Sequence, residues 1–501
     1  MDAVCEEMGV VLRNAAFSPN IRDRLDFSCA VFDAAGGLCA QAAHIPVHLG
    51  SMAYAMADVV ARMDWHAGDM VILNDPFLGG THLPDVTLIA PLFWGAELIA
   101  FVVNRAHHAD VGADSPGSMP LSSRIEEEGL VLRPMHLIRQ GTMEVGLMET
   151  IVENTRNPDH ASGDFNAQIS ANRAGLARLG ELIDGLGAAA FRSSLAALND
   201  YAERLALDAL SAIPDGDYRF DDVMDDDGQG NADIPIRVRL TMSQGRAHLD
   251  FTGTAPQVSG NINCPFSVAA AAVYYVFRCL MPAQTPACAG AFRPISLYAP
   301  SGCLLHAQHP AAVAAGNVET SSRVVDVVMG ALARAIPERI PAASQGGMNN
   351  LAMGSDRPGG SWDYYETIGG GMGAGALGGG QSGVQTHMTN TLNTPIEVLE
   401  TIYPLRVTRY GLRRRSGGAG RRTGGEGLER EFEFLGPARV TLLTERRRHA
   451  PWGLAGGQSG KCGENTLNGR LLPGKAALAV AAGDRLRIST PGGGGWGVPE
   501  E

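Results

Sequence analysis

The spacing of apolar residues in the first 110 positions switches between the two periods of regular secondary structure. Short apolar or alternating runs bounded by turn residues predict strands at residues 27–32, 38–42, 70–73, 86–93 and 98–103. Residues 3–15 and 51–63 carry their apolar positions at helical spacing instead. We therefore expect strands interleaved with helices over this part of the chain.

The rest of the chain first becomes helical and then rich in strands. A helical pattern covers residues 165–212, with a break at 185–187, and further helices are predicted at 268–280 and 322–336. Alternating runs predict strands at 218–223, 236–242 and 247–251, and short strands with frequent turns prevail from residue 408. The prediction is an α+β chain with a mixed multi-layer fold in three parts: an N-terminal strand and helix region (1–160), a central helical and β region (161–405) and a β-rich, glycine-rich C-terminal unit (406–501).

Composition narrows the class of protein. The chain has 501 residues, 45% of them hydrophobic and 19% charged, which is typical of an ordered protein rather than a disordered one. A net charge of −13 argues against nucleic acid as a partner. The longest apolar run, residues 268–277, is shorter than the ~20 residues that a membrane span needs. With no secretory signal and no C-x-x-C pair among eight cysteines, we expect a cytoplasmic protein with reduced thiols.

Two histidine clusters flank the strands predicted at 86–93 and 98–103. If these strands form a hairpin across the tight turn at residues 94–97, the antiparallel register sets Asp85 nearly opposite His107. His82 then lies just outside one strand end, and His108 and Asp110 lie just beyond the other. Imidazoles and carboxylates that converge in this way suit a divalent metal ion such as zinc or manganese. The 1–160 region is therefore predicted to be a metal-site region.

Other polar residues are candidates for supporting roles. A metal-bound histidine needs an acceptor that fixes its tautomer, and Asp75, Asp110 or His48 are candidates for orienting the ligands. Asp26 is a candidate general base or additional ligand, although a surface charge cluster is the simpler interpretation of its neighbourhood. The competing interpretation of the histidine region is structural: Asp75 and Asp85 satisfy turn amides, and His108 packs in the core.

Three further sequence patterns resemble ligand sites but are given simpler interpretations. The glycine-rich stretches at 367–373 and 491–497 lack the Lys-Ser/Thr of a phosphate loop and a preceding strand, so no nucleotide-binding residues are predicted. Asp225-Asp226-Asp227-Gly228 lacks the later glutamate of a calcium loop and is interpreted as a solvated turn. The arginine triplets at 413–415 and 446–448 are expected at a surface or a subunit interface.

A collinear set of motifs resembles the hydantoinase B/5-oxoprolinase family, which includes N-methylhydantoinase B subunits and is similar to the acetone carboxylase alpha subunit. The motifs cover nearly the whole chain: residues 18–21, 26–28, 43–52, 74–76, 80–85, 105–110, 316–321, 364–371 and 387–391, together with the glycine-rich tail. Departures from that family are Gln385, where a histidine is expected, the glycines at 378–380, which replace a more acidic turn, and a start that is expected to be shortened.

The resemblance implies an ATP-dependent hydrolase that acts on the C–N bond of a cyclic amide or imide. It implies a partner, a hydantoinase A-type actin-like ATPase subunit that phosphorylates the carbonyl oxygen of a small-molecule substrate. It also implies that His82, Asp85 and His107 are the metal ligands. From the ligand cluster itself we add the hypothesis that Asp26 or His108 is the catalytic proton acceptor. Two alternatives stay open: a subunit of an ATP-dependent acetone- or acetophenone-type carboxylase, and a non-catalytic scaffold with a structural metal.

Overall fold

The computed structural model describes residues 1–42, 45–356 and 361–500. Residues 43 and 44, part of one motif behind the family resemblance, lie outside the described residues. The helices are α1 (Asp2–Ala15), α2 (Pro19–Arg22), α3 (Pro46–Arg62), α4 (Val145–Glu153), α5 (Pro158–Leu186), α6 (Ala188–Ser211), α7 (Phe266–Leu280), α8 (Ala289–Phe292), α9 (Ser321–Leu332) and α10 (Ile396–Ile402).

The strands follow in chain order, interleaved with these helices. They are β1 (Phe27–Asp33), β2 (Leu38–Ala42), β3 (Met70–Leu73), β4 (Asp85–Trp94), β5 (Glu97–His107), β6 (Met135–Arg139), β7 (Thr142–Met143), β8 (Gly216–Asp226), β9 (Ala232–Ser243), β10 (Arg246–Asp250), β11 (Ile295–Tyr298), β12 (Asn350–Ser355), β13 (Trp362–Glu366), β14 (Leu405–Arg413), β15 (Gly427–Phe434), β16 (Ala438–Leu443), β17 (Glu464–Leu467), β18 (Arg470–Leu472), β19 (Lys475–Val480) and β20 (Arg485–Ser489).

The N-terminal sheet is antiparallel and buried on both faces. Its strand order is β2-β1-β5-β4-β3-β6-β7, with α1 and α5 packed on one face and α3 on the other. Along β1, Cys29 and Val31 join the core beneath α1 and α5, whereas Ala30 and Phe32 join the core beneath α3. Because both faces are covered, these strands read in the sequence as nearly continuous apolar runs.

The central sheet shares its core with the N-terminal region. Its order is β11-β10-β9-β8, and β10 and β11 pair in parallel. Helix α9 packs on β8 and β9, and α7 lies between α9 and α3. One hydrophobic cluster therefore runs from the α3 face of the N-terminal sheet to the central sheet.

Two further sheets enclose a third core. Their orders are β13-β12-β16-β19 and β14-β15-β20-β17-β18. Residues such as Tyr364, Phe432, Phe434, Leu442 and Ile488 fill the space between them. The first of these sheets combines strands from both sides of residue 405, and the region boundaries at 160 and 405 stay predictions.

Glycine segments stacked against one another account for much of the high glycine content, 63 residues. The segments 369–380, 417–425, 453–460 and 492–497 are joined by backbone hydrogen bonds, such as those from the Gly425 amide to the Met372 carbonyl and from the Gly493 amide to the Gly425 carbonyl. A Cβ atom on Gly425 would lie 1.8 Å from the carbonyl oxygen of Gln381, and one on Gly371 would lie 2.1 Å from that of Gly425. Glycine is required here because backbones touch where any side chain would stand.

The α+β prediction is confirmed, although several element bounds differ from the prediction. Helix α3 begins at Pro46 rather than at residue 51, since proline is well suited to the first helical turn. Helix α9 ends at Leu332, and a π-helical turn, Gly316–Thr320, precedes it. In the described part of the chain, no helix combines the length and apolarity needed to span a bilayer.

The interpretations of Arg446 and of the aspartate turn were wrong, because Arg446 and two carboxylates of the turn, those of Asp225 and Asp227, are buried. The Arg446 guanidinium bonds Asp222 at 2.8 Å and Asp326 at 2.6 Å, and it is 1% exposed. The buried Asp225 carboxylate accepts hydrogen bonds from the amides of residues 447–449, and Asp227 accepts from those of residues 229 and 231. A run of charged residues predicts exposure only when the fold offers those residues no buried hydrogen-bonding or oppositely charged partner.

Candidate metal centre

The hairpin formed by β4 and β5 has the predicted register. Asp85, the first residue of β4, pairs with His107, the last residue of β5. Gly95 and Ala96 form the turn at the other end. His82 lies three residues before Asp85, in the turn that leads into β4, so the three side chains meet at the open end of the hairpin.

Two imidazole nitrogens lie at the same distance from one carboxylate oxygen. The Asp85 Oδ1 atom is 3.2 Å from His82 Nε2 and 3.2 Å from His107 Nδ1. All three side chains are at most 3% exposed, and one ligand atom from each lies within 4.8 Å of the others. Ligands about 2.0–2.1 Å from a tetrahedral zinc ion stand about 3.3 Å apart, so this spacing matches that of a metal site.

The hydrogen bonds around the three residues leave the inward-facing atoms free. His82 Nδ1 lies 3.3 Å from the Ala314 carbonyl oxygen, an acceptor that puts the proton on Nδ1 and the lone pair on Nε2. Outside their mutual contacts with the other candidate ligands, neither His82 Nε2 nor Asp85 Oδ1 has a hydrogen-bond partner among the described residues, although both are fully buried. Buried polar atoms are rarely left unpaired, so the donor set fits a bound cation.

The other oxygen of Asp85 is held by three side chains. Thr81 Oγ1 donates to Oδ2 at 2.6 Å, Asn317 Nδ2 donates to it at 3.3 Å, and His48 Nε2 lies 3.3 Å from it. The second ring nitrogen of His48 lies 3.2 Å from Ser28 Oγ. These contacts fix the carboxylate so that Oδ1 faces the two imidazoles.

Electrostatics keep Asp85 ionised in this buried position. Burial by itself would raise the pKa of its carboxyl group, but His82 and His48 and the contact with His107 hold that pKa well below its ordinary value. Burial lowers the pKa of His82, yet the Asp85 carboxylate more than compensates and the pKa is raised. For His107 burial is the larger effect, and the pKa is lowered. The lowered pKa favours the neutral form of His107, and a neutral imidazole is the form that binds a metal ion.

The cavity beside these residues is small and walled by a stacked tyrosine. Its volume is about 20 Å³, and Asp26, Asn317, Tyr365 and Thr367 line it together with the three candidate ligands. The Tyr365 ring stacks on His107 with centroids 4.7 Å apart and planes 9° apart. Tyr365 donates its hydroxyl to Asn350 Oδ1 at 2.7 Å, which fixes the ring that supports the imidazole.

Comparison with known proteins assigns the family. The model of the family described as hydantoinase B/oxoprolinase matches residues 1–499. The chain belongs to this family. It is 40% identical to 5-oxoprolinase 1 of Arabidopsis thaliana over 99% of the chain and 41% of that protein, and 32% identical to the B subunit of a putative D-/L-hydantoinase from Pseudomonas sp. (strain NS671) over 100% of the chain and 89% of that protein. The chain thus spans about two fifths of the plant protein.

Two solved structures share this fold. The crystal structure of the ATP-dependent caprolactamase from Pseudomonas jessenii superposes with a TM-score of 0.91 at 29% identity, over 99% of this chain and 89% of that one. A nucleotide-free acetone carboxylase structure gives a TM-score of 0.85 at 18% identity, over 99% and 74% of the two chains, which is a likeness of fold alone.

Two of the other predicted residues lie beside the candidate ligands. His48 contacts Asp85 directly, as described above. Asp26 is 7% exposed and lines the same cavity, so it does not belong to a surface charge cluster. Its carboxylate lies 3.9 Å from the buried Arg24 guanidinium, and its carbonyl accepts a hydrogen bond from the His107 amide.

The other three predicted residues do not reach the candidate ligands. His108 points away from His107 because successive residues at a strand end face opposite sides, and its Nε2 atom bonds Gln168 at 2.9 Å. Asp75 accepts the Phe77 amide within its own turn. Asp110 accepts from the amides of Gly112 and Arg156 and from the Ser118 hydroxyl. Both aspartates thus accept hydrogen bonds from backbone amides of nearby turns. The structural interpretation gave Asp75 this role.

The sequence reasoning missed three residues that act on the candidate ligands: Thr81, Asn317 and Tyr365. Each lies within a motif that carried the family resemblance, which was the available signal. It also missed Glu128, whose buried carboxyl accepts from the amides of Val313 and Ala314 and so holds the carbonyl that His82 contacts. Burial is the main cause that raises the pKa of Glu128 to about 7. No local pattern connects residues so far apart in the chain.

Proposed function

We propose that this chain is the metal-containing subunit of an ATP-dependent hydrolase that opens cyclic amides. The observation that carries the proposal is the buried meeting of His82 Nε2, Asp85 Oδ1 and His107 Nδ1 at one point, where two of these atoms have no hydrogen-bond partner outside the cluster among the described residues. The names of the relatives agree: 5-oxoprolinase, hydantoinase and caprolactamase each denote the opening of a ring amide.

The ring amide must be activated before water attacks it, and we assign that step to a partner. The Pseudomonas hydantoinase relative is named as one subunit of its enzyme, which supports a second subunit, and we propose a hydantoinase A-type actin-like ATPase that phosphorylates the substrate carbonyl oxygen. ATP would bind to that partner, because this sequence has no phosphate-loop motif. We also propose a cytoplasmic location, since the eight cysteines are unpaired thiols.

The residues of this chain have distinct tasks in the proposed reaction. His82, Asp85 and His107 would hold a divalent cation, zinc or manganese, which supplies Lewis-acid activation of water near neutral pH. Thr81, His48 and Asn317 orient the Asp85 carboxylate. Tyr365 fixes the plane of His107.

We assign the proton acceptor for the attacking water to Asp26. Its carboxylate lines the same cavity as the three ligands, and the buried Arg24 guanidinium nearby holds it in place. A carboxylate at hydrogen-bond reach of the reacting water is suited to general-base work. His108 was the other candidate from the sequence, but it faces away from this cavity, so the proposal does not use it at this step.

The test is His107→Ala in the full chain, with His248→Ala as the matched control. His248 is an exposed histidine on β10 whose ring forms a hydrogen bond with Ser296 Oγ and lies far along the chain from the candidate ligands. We expect H107A to lose bound metal by elemental analysis and to lose ring opening in the presence of the ATPase partner, while H248A keeps both.

Three outcomes would contradict the proposal. Retention of metal and activity by H107A would remove the assigned centre. Turnover by the partner alone would indicate a scaffold with a structural metal. A strict requirement for bicarbonate, with a carboxylated product, would indicate a ketone carboxylase instead.

A further inference from the structure

A second and much larger cavity is lined by close sequence neighbours of the residues that line the small one. Its volume is about 580 Å³, within the usual range for a small-molecule site, whereas the cavity beside the candidate ligands is too small for a ring amide. Neighbouring residues of the same segments line the two cavities. His107 at the end of β5 and Tyr365 on β13 line the small cavity, and His108 and Asp363 line the large one. The structure thus sets the large cavity next to the proposed reaction centre.

A buried histidine presents a free acceptor atom at this cavity. The Gln168 amide nitrogen donates to the Val86 carbonyl at 3.0 Å, so its oxygen is the acceptor for His108 Nε2 at 2.9 Å. The proton of the neutral His108 ring is therefore on Nε2, and Nδ1 carries a lone pair. His108 is 1% exposed and lines the large cavity, and its Nδ1 atom has no hydrogen-bond partner among the described residues.

The remaining polar groups of the cavity also favour a ligand that donates hydrogen bonds. The Asp363 carboxyl makes no hydrogen bond or ion pair with another described side chain, and it lies close enough to Asp110 and Asp164 to feel their charge. Burial and these carboxylates raise the pKa of Asp363 to about 7. The donors of Arg156 are already bound to Asp110, Asp356 and the carbonyls of Ala113 and Asp114.

Aromatic side chains form another part of the cavity wall. Trp362 and Tyr403 line the cavity with ring centroids 5.5 Å apart, and Phe17 lines it while 53% exposed. Aromatic faces attract cations and repel anions. Two arginines also line the cavity, but both are paired with carboxylates, Arg22 with Asp23 and Arg156 with Asp110 and Asp356. The Asp363 carboxyl, unpaired among the described side chains, therefore favours a cation over a phosphorylated ligand.

We propose that the large cavity binds a primary ammonium group, held by His108 Nδ1 and the Asp363 carboxyl against the aromatic wall. If the proposed function holds, the ligand is the amine freed by ring opening. Hydrolysis of a lactam breaks the C–N bond, puts the hydroxyl of water on the carbonyl carbon and a proton on nitrogen, and leaves an amino acid with an ammonium group at neutral pH. Opening a hydantoin leaves an uncharged ureido group instead. The cavity therefore indicates a lactam substrate rather than a hydantoin.

The test is calorimetric titration of the full chain with three probes of equal carbon chain: 6-aminohexanoate, hexanoate and 6-ureidohexanoate. We expect the amine to bind about tenfold or more tightly than the other two, as one charge-assisted hydrogen bond requires. Asp363→Asn and His108→Ala should each remove most of that preference. Asp184→Asn, an exposed aspartate on α5 with no side-chain partner among the described residues, should leave it unchanged.

Equal affinity for the three probes, or a preference that survives both cavity substitutions, would overturn the proposal. Circular dichroism confirms that each variant is folded, and D363N preserves side-chain shape in case H108A does not fold. The same titration of H107A separates this proposal from the proposed function. H107A should keep the amine preference, and if it also keeps metal and activity, the proposed function fails while the ammonium site stands.

Discussion

Replacing Thr81 by valine tests whether Asp85 is a metal ligand that its neighbours orient. Valine has nearly the same shape as threonine but lacks the hydroxyl group. Among the three partners of Asp85 Oδ2, Thr81 makes the shortest contact, 2.6 Å against 3.3 Å for His48 and for Asn317. The substitution therefore removes the strongest restraint on the carboxylate and leaves the proposed ligand atoms in place.

The expected loss follows from the bond that is removed. A hydrogen bond to a charged group contributes roughly 1.5–3 kcal/mol. Loss of a residue that orients a ligand weakens metal affinity by about 10–100-fold, which corresponds to roughly 1.4–2.7 kcal/mol. The two ranges agree, so we expect T81V to weaken binding by about 10–100-fold. Asn317→Ala, which removes a longer bond, should weaken it less.

The assay is competition for zinc or manganese against a chromophoric chelator, with Thr81→Ser as the matched control because serine keeps the hydroxyl. Thermal unfolding of the metal-free variants separates metal affinity from damage to the fold. The reasoning is refuted if T81V binds metal as tightly as the parent chain, or if T81S is as impaired as T81V.

Other regions give further predictions. Burial would raise the pKa of Asp222, but Arg446 and Arg323 outweigh burial and hold that pKa below its ordinary value. At acidic pH the unfolded chain therefore binds more protons than the folded chain. The free energy of unfolding, measured by urea titration, should fall as the pH drops below about 4. Arg446→Met leaves buried carboxylates unpaired and should lower that free energy by about 3–5 kcal/mol at neutral pH; an unchanged urea midpoint would contradict the burial argument. Gly425→Ala should destabilise by about 3 kcal/mol or prevent folding, whereas Gly411→Ala, which meets open space, should be tolerated in expression and melting assays. Chelation should lower the melting temperature of the parent chain but not that of H107A, and equal shifts in both would argue against the assigned ligands.

The local sequence was sufficient to predict a structural feature wherever that feature depended on a single element such as one hairpin. The pairing of Asp85 with His107 followed from two strand patterns and a tight turn, because antiparallel register is set by the length of the turn. The separation of His107 from His108 was not foreseen, although strand alternation already required that neighbouring residues face opposite sides. The excess of glycine predicted close backbone contacts but did not identify which segments meet.

The sequence by itself determined the α+β class, the hairpin, the family and a shortlist of ligands, since each depends on a short-range period or on a contiguous motif. Only the tertiary structure decided which members of that shortlist meet. Asn317 reaches Asp85 across 232 positions, and Glu128 and Ala314 act together behind His82. Arg446, expected at a surface or a subunit interface, is a buried partner of Asp326 for the same reason. Pairing of this kind depends on how separate cores pack, and that packing is set by contacts between segments far apart in the chain rather than by any local pattern.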